Sequence, residues 1–154
     1  MRTVDRILVR APAAAMFDAA ADVERWPDRL AHYRWVRFHS RRGDGGVVEM
    51  AAVRPFGPLR WPVWWASEMW IDAGRREVRY RHVRGVTSGM DVLWSVVPRG
   101  TGETEVTIVH TWDGPRWPLI RVPAAEWVIG PVFVHGIASR TLAGLARAVE
   151  TAHA

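Results

Sequence analysis

The sequence predicts an α+β fold. It should hold seven antiparallel strands in one curved sheet, two short helices after the first strand, and a long C-terminal helix. Three observations carry this. From Tyr33 to Trp112, apolar runs of strand length alternate with short turn signals, so the strands follow one another as hairpins. Just after the first strand, Met16, Phe17, Ala20 and Ala21 share one helical face. Near the C-terminus, Val128, Val132, His135, Leu142, Leu145 and Val149 recur at three- to four-residue spacing. The 154 residues are expected to form a single domain, 1–154, long enough for one sizeable core.

A short strand at Ile7–Val9 opens the pattern. Pro12 suits a first helical turn, where its missing N–H costs nothing. Pro27 fixes its own φ and places a second short helix up to about Leu30. Strands are then expected at Tyr33–Ser40, Val47–Arg54, Trp61–Ile71, Arg76–Arg84, Met90–Val97 and Glu103–Trp112. They are separated by Arg41–Gly46, by a loop at Pro55–Pro58, by Asp72–Arg75, by a break at Gly85–Gly89 and by Pro98–Gly102. Asp113–Pro123 reads as a loop. Ala124 to about Thr151 reads as the long helix, kinked at Gly130–Pro131.

Composition removes several classes of function. There are no cysteines, so no disulfide and no thiolate metal site. The basic residues, 21 in all, are all Arg, so neither a Schiff-base lysine nor a phosphate-loop lysine exists. These arginines are scattered along alternating strands, which points to a solvated surface and no nucleic-acid partner despite a net charge of +5. Arg2, Asp5, Arg6 and Arg10 interrupt any secretory core near the N-terminus, and no apolar run of spanning length occurs. A cytoplasmic protein is the expectation. The six histidines show neither HExxH nor a carboxylate cluster at ligand spacing, so no metal and no cofactor is expected.

Alternation along the strands selects inward residues. Val78, Tyr80 and His82 share one face, as do Met90, Val92, Trp94 and Val96. His110 aligns with Val106, Ile108 and Trp112. The Trp61–Ile71 run is apolar on both faces, with Trp61, Val63, Trp65, Ser67 and Met69 on one. His135 falls on the helical stripe. Ser67 lacks an adjacent base or a G-x-S-x-G setting, so it is not an activated nucleophile. Glu49 and Glu68 complete the polar candidates.

The ordered set Ala11, Pro12, Phe17, Asp22, Trp26, Pro27, His32 and Tyr33 resembles the opening of the SRPBCC, or START-like helix-grip, superfamily. Within it the chain looks most like the polyketide cyclase/dehydrase and coenzyme-Q-binding branch. The resemblance covers the whole chain. It implies a cavity between the sheet and the C-terminal helix, and a hydrophobic small molecule as partner: a polyketide, quinone, isoprenoid or lipid. On that reading Trp65, Met69, Tyr80, His82, Trp94, Val132, His135 and Leu142 would bind the ligand. The large side chains either fill the core or line the pocket, and both readings stand at this point.

Two alternatives accompany this one. The aromatase/cyclases of the family resemble the chain around DVERWP, Tyr33 and WPVWWASEMW. The family's tyrosine falls on Tyr33 and its serine on Ser67, but its cavity arginine falls on Met69. A cyclase or dehydratase here would therefore rest on Tyr33, Ser67 and His110. The second alternative is a protein-interaction module, or a membrane-peripheral one making transient membrane contact. It would use Phe56, Leu59, Trp61, Trp64, Trp117, Leu119, Ile120 and Trp127 with Arg54, Arg60, Arg116 and Arg121.

Overall fold

The computed structural model describes residues 1–115 and 133–154. In chain order these form β1 (Arg2–Val9), α1 (Ala13–Ala21), a 3₁₀ turn (Val23–Arg25) and α2 (Trp26–Arg29). Six strands follow: β2 (Tyr33–Arg42), β3 (Gly45–Phe56), β4 (Leu59–Asp72), β5 (Glu77–Gly85), β6 (Asp91–Pro98) and β7 (Thr104–Thr111). The last element is α3 (His135–Ala152). The predicted kink at Gly130–Pro131 and the helical turns from Ala124 lie outside the described residues.

All seven strands join one sheet in the order β1-β7-β6-β5-β4-β3-β2, antiparallel throughout. Strands β2 to β7 are a plain meander, as the turn signals predicted. Strand β1 lies at the opposite edge from β2, beside β7, so α1 and α2 carry the chain across the sheet between them. The fold is α+β.

Two boundaries differ from expectation for a local reason. Pro55 and Phe56 were assigned to a loop, yet β3 pairs with β4 up to Phe56↔Leu59. The β2 ladder has stopped at Tyr33↔Ala52, so this stretch of β3 has a free edge. A proline there forfeits no ladder bond. Pro62 on β4 is placed in the same way, beyond the last β5 pair at Trp65↔Gly85.

Between Ala66↔Arg84 and Ser67↔His82 the β4–β5 register slips by one residue. Val83 is the extra residue, and it is exposed. Such a bulge re-aims the side chains on either side of it. Strand β5 then ends at Gly85, whose φ is +98°. A Cβ there would fall 2.6 Å from the Trp64 carbonyl oxygen and 3.1 Å from Trp65 Cα, so only glycine fits.

The core joins the inner face of the sheet to α1 and α3. Val9, Met16, Val48, Val78, Met90, Val106, Ile108 and Leu145 are all sealed from solvent. On α3 the covered residues are Ala138, Thr141, Leu142, Gly144, Leu145, Ala146 and Val149, at the predicted spacing. His135 leaves that face. It is the first residue of the helix, and its side chain turns to the Asp5 carboxylate with 58% of its surface exposed.

Candidate functional site

Between the inner face of the sheet and the start of α3 lies a cavity of about 400 Å³. Its wall is mostly aromatic. Trp26 is anchored by its Nε1, which donates to the Ala19 carbonyl oxygen at 3.0 Å. Its ring lies 5.5 Å from Trp94 and meets Tyr33 edge-on at 5.2 Å. Tyr33 in turn meets Trp65 at 6.2 Å, and Trp65 stacks on His82 at 5.9 Å and 11°. These offset and edge-on contacts suit aromatic quadrupoles and hold each ring at a fixed angle. Met50, Met90, Val92, Ile108, Ile137 and Ala138 complete the apolar wall.

Few polar groups interrupt it. His82 is held by its backbone, donating to Met90 O at 2.9 Å and accepting from Gly89 N at 2.8 Å. Its Nδ1 lies 2.6 Å from Thr87 Oγ1. Tyr33 Oη lies 3.5 Å from Thr141 Oγ1, which also meets the Ile137 carbonyl oxygen at 2.8 Å and His32 Nε2 at 3.0 Å. Tyr80 Oη and His110 Nδ1 are sealed, with no hydrogen-bond partner among the described residues.

Burial sets the charge of this wall. It pushes His82 down to about 3, with His110 adding to the effect, and His110 down to about 4, with His135 adding to it. Burial likewise raises the phenols of Tyr33 and Tyr80 above the ordinary range. At neutral pH both imidazoles and both phenols are therefore uncharged. No Asp, Glu or Arg is among the described residues of the wall. The cavity is apolar, with a few neutral hydrogen-bonding points.

Seen against the sequence expectations, Tyr33, Trp65, Tyr80, His82, Trp94 and His110 come together around this space. Ser67, Met69, Leu142 and His135 do not line it. Ser67 and Met69 are buried on β4, and the serine hydroxyl has no partner. Leu142 packs in the core. Val132 lies outside the described residues. Among the described residues no arginine lines the cavity. Glu49 is engaged by Arg37 at 3.0 Å and His39 at 2.5 Å, away from the cavity, and Glu68 is exposed.

The sequence reading missed Thr141, Ala138, Met50 and Thr87 as wall residues. Thr141 and Ala138 were detectable, because they share the helical stripe with Leu142 and Leu145. Of the apolar loop candidates, Leu59, Trp61 and Trp64 are exposed, and Trp61 and Trp64 border the cavity. No helix of the described residues is long and apolar enough to cross a membrane.

Residues 9–133 match the family described as polyketide cyclase / dehydrase and lipid transport. The chain belongs to this family. A curated relative, the granaticin polyketide synthase bifunctional cyclase/dehydratase of Streptomyces violaceoruber, is 28% identical over 157 residues. That match takes in 99% of this chain but 45% of the relative, so the chain spans less than half of that protein's length. Among solved structures, the Zhui aromatase/cyclase from Streptomyces sp. R1128 superposes with a TM-score of 0.78 at 18% identity, covering 96% of this chain and 93% of the other. A START superfamily protein from Mycobacterium smegmatis superposes at 0.68 with 17% identity, covering 98% and 95%. These likenesses identify the fold as START-like helix-grip. Family and cavity together are those of a domain that binds hydrophobic small molecules.

Proposed function

We propose that the domain binds a bulky, neutral, largely apolar molecule carrying a few oxygen functions, of the polyketide or quinone kind. One observation carries this reading: a cavity of about 400 Å³ walled by aromatic rings and lined by no charged group among the described residues. Water or ligand must fill it, and water gains little from such a wall. A charged ligand would lose its hydration without finding a counter-ion.

The test is quenching of tryptophan fluorescence, since Trp26, Trp65 and Trp94 all face the cavity. A neutral naphthoquinone should quench saturably, and its carboxylate analogue should bind about tenfold or more weakly. Equal affinity for both, or no saturation with any neutral polycycle, would refute the assignment.

A catalytic reading is favoured by a separate observation, the unpartnered Tyr80 hydroxyl and the neutral His110 imidazole in the wall. Such groups could hydrogen-bond a carbonyl or move a proton. Without the family's arginine, stabilisation of an enolate loses a preorganised cation, a loss typically worth about 10²–10³ in rate. Cyclisation or dehydration of a poly-β-ketone should therefore be slow. It is assayed by offering a linear poly-β-ketone to the wild type and to Tyr33→Phe. Regiospecific product well above background, lost in the variant, would rank catalysis above binding alone.

A further inference from the structure

Three buried polar atoms without partners gather at the β1–β7 edge of the sheet: Thr3 Oγ1, Asp5 Oδ2 and His110 Nδ1. Register places them together. Thr3 is the direct cross-strand partner of His110, and Asp5 stands two residues along the same face, opposite Ile108. Directly opposite side chains such as Thr3 and His110 have Cβ atoms about 5 Å apart, and diagonal neighbours such as Asp5 and His110 about 7–8 Å, within reach of one bridging water between their polar ends. The Asp5 and His110 side chains are more than nine-tenths covered. Each unpartnered buried group costs about 1–3 kcal/mol, so three in one place call for a common partner.

The surroundings differ on the two sides of this cluster. His110 borders the cavity, and with Nδ1 sealed, Nε2 is the nitrogen a cavity ligand can reach. Asp5 Oδ1 is bonded to His135 Nδ1 at the start of α3, and that ring is mostly open to solvent. Burial raises the Asp5 carboxyl, and His135 opposes the rise. The other titratable group that feels His110 is His82 on β5. The described residues hold no cluster able to bind a metal ion here.

We propose that one water molecule is bound by Thr3 Oγ1, Asp5 Oδ2 and His110 Nδ1, and that it joins the cavity to solvent as a proton path through His110, Asp5 and His135. A single water meets the need of all three: it donates to Asp5 Oδ2 and bridges the threonine hydroxyl to the imidazole. A proton arriving at His110 Nε2 from the cavity is balanced by release of the Nδ1 proton to the water. The water passes a proton to Asp5 Oδ2; Asp5, which starts protonated on Oδ1 toward the His135 Nδ1 lone pair, gives that proton to Nδ1, and His135 releases its Nε2 proton to solvent. One proton enters, one leaves, and the return runs the same steps backward. The path serves the catalytic reading above, whereas the water site itself needs no ligand and no turnover.

Two experiments on the unliganded protein decide it. A high-resolution crystal structure should show one density peak within about 3.2 Å of all three atoms. In nitrogen-15 NMR, solvent exchange of the His110 ring proton should slow about tenfold or more in Thr3→Val and in His135→Gln. Thr3→Val is nearly isosteric and residue 3 does not itself line the cavity, so its naphthoquinone affinity should stay within about twofold of the wild type. A dry site, or exchange unchanged in both variants, would overturn the proposal. Slowed exchange in a protein that binds no ligand would uphold the path while refuting the binding assignment.

Discussion

The two ends of one sheet face are packed in opposite ways. Where β6, β7 and β1 meet α1, the inward residues are small or flexible: Val9, Ala13, Met16, Ala20, Val96 and Val106. They are sealed at 8% exposure or less. Where β4, β5 and β6 face the start of α3, the inward residues are Trp65, Tyr80, His82 and Trp94, and the face encloses the cavity. Small aliphatic side chains interdigitate to crystal-like density. At the other end the rings meet edge-on and stacked, each held at a fixed angle, and they border the open space. A large amount of aromatic surface lines a pocket here, although in a sequence it looks like material to fill one.

The same kind of substitution should have opposite results at the two ends. Ala20 is fully covered in the packed end, and Ala138 lines the cavity. Ala20→Leu overpacks and should cost about 1–3 kcal/mol or more in urea denaturation. Ala138→Leu extends into free volume and should change stability by less than about 1 kcal/mol, while weakening naphthoquinone binding about tenfold or more. Equal destabilisation by both would mean that the cavity is not a permissive space.

Acid should act on the cavity end next. His82 and His110 are held neutral when folded, at about 3 and about 4, against the usual 6.5. The unfolded chain thus binds protons more readily below pH 6.5. Stability should be flat from pH 8 to 6.5 and then fall as pH drops toward 4, by several kcal/mol in total. His82→Asn, which keeps an acceptor near Thr87, should flatten part of that fall in denaturation curves taken at each pH. An unchanged slope would show that His82 is not the group being titrated.

The smallest effect is expected on the solvated faces. Arg81 and Asp91 pair at 3.0 Å with both side chains more than half exposed. Arg81→Ala should cost less than about 1 kcal/mol and leave ligand affinity alone. A larger loss would mean that the outer face contributes to the packing contrast after all.

Much of this was legible in the sequence, because it depends on local rules. Turn residues marked the hairpins, and period-two alternation turned Tyr80, His82 and His110 inward. The failures share a different cause. Pro55 looked like a loop residue because the end of the β2 ladder, which frees that edge, is set by pairing between distant segments. Ser67 and Met69 alternate correctly with Trp65, but which stretch of an inward face meets a cavity and which meets core depends on what packs opposite. His135 fits the helical stripe by spacing, yet it pairs with Asp5, 130 positions away in the chain. No periodicity signals a partner at that distance.

Gly85 bears on how this pocket can vary among related chains. Its missing side chain lets β5 close against the Trp64–Trp65 backbone at the cavity's edge. The rings of the wall can be exchanged one at a time for larger or smaller ones, each altering the volume by its own increment. Position 85 offers no such gradation, because the first carbon added there meets main chain, which cannot step aside without parting the two strands. Ligand size is thus a continuous variable of the wall, and the aperture is a discrete one. In a set of homologous sequences the aromatic positions should drift while this glycine stays.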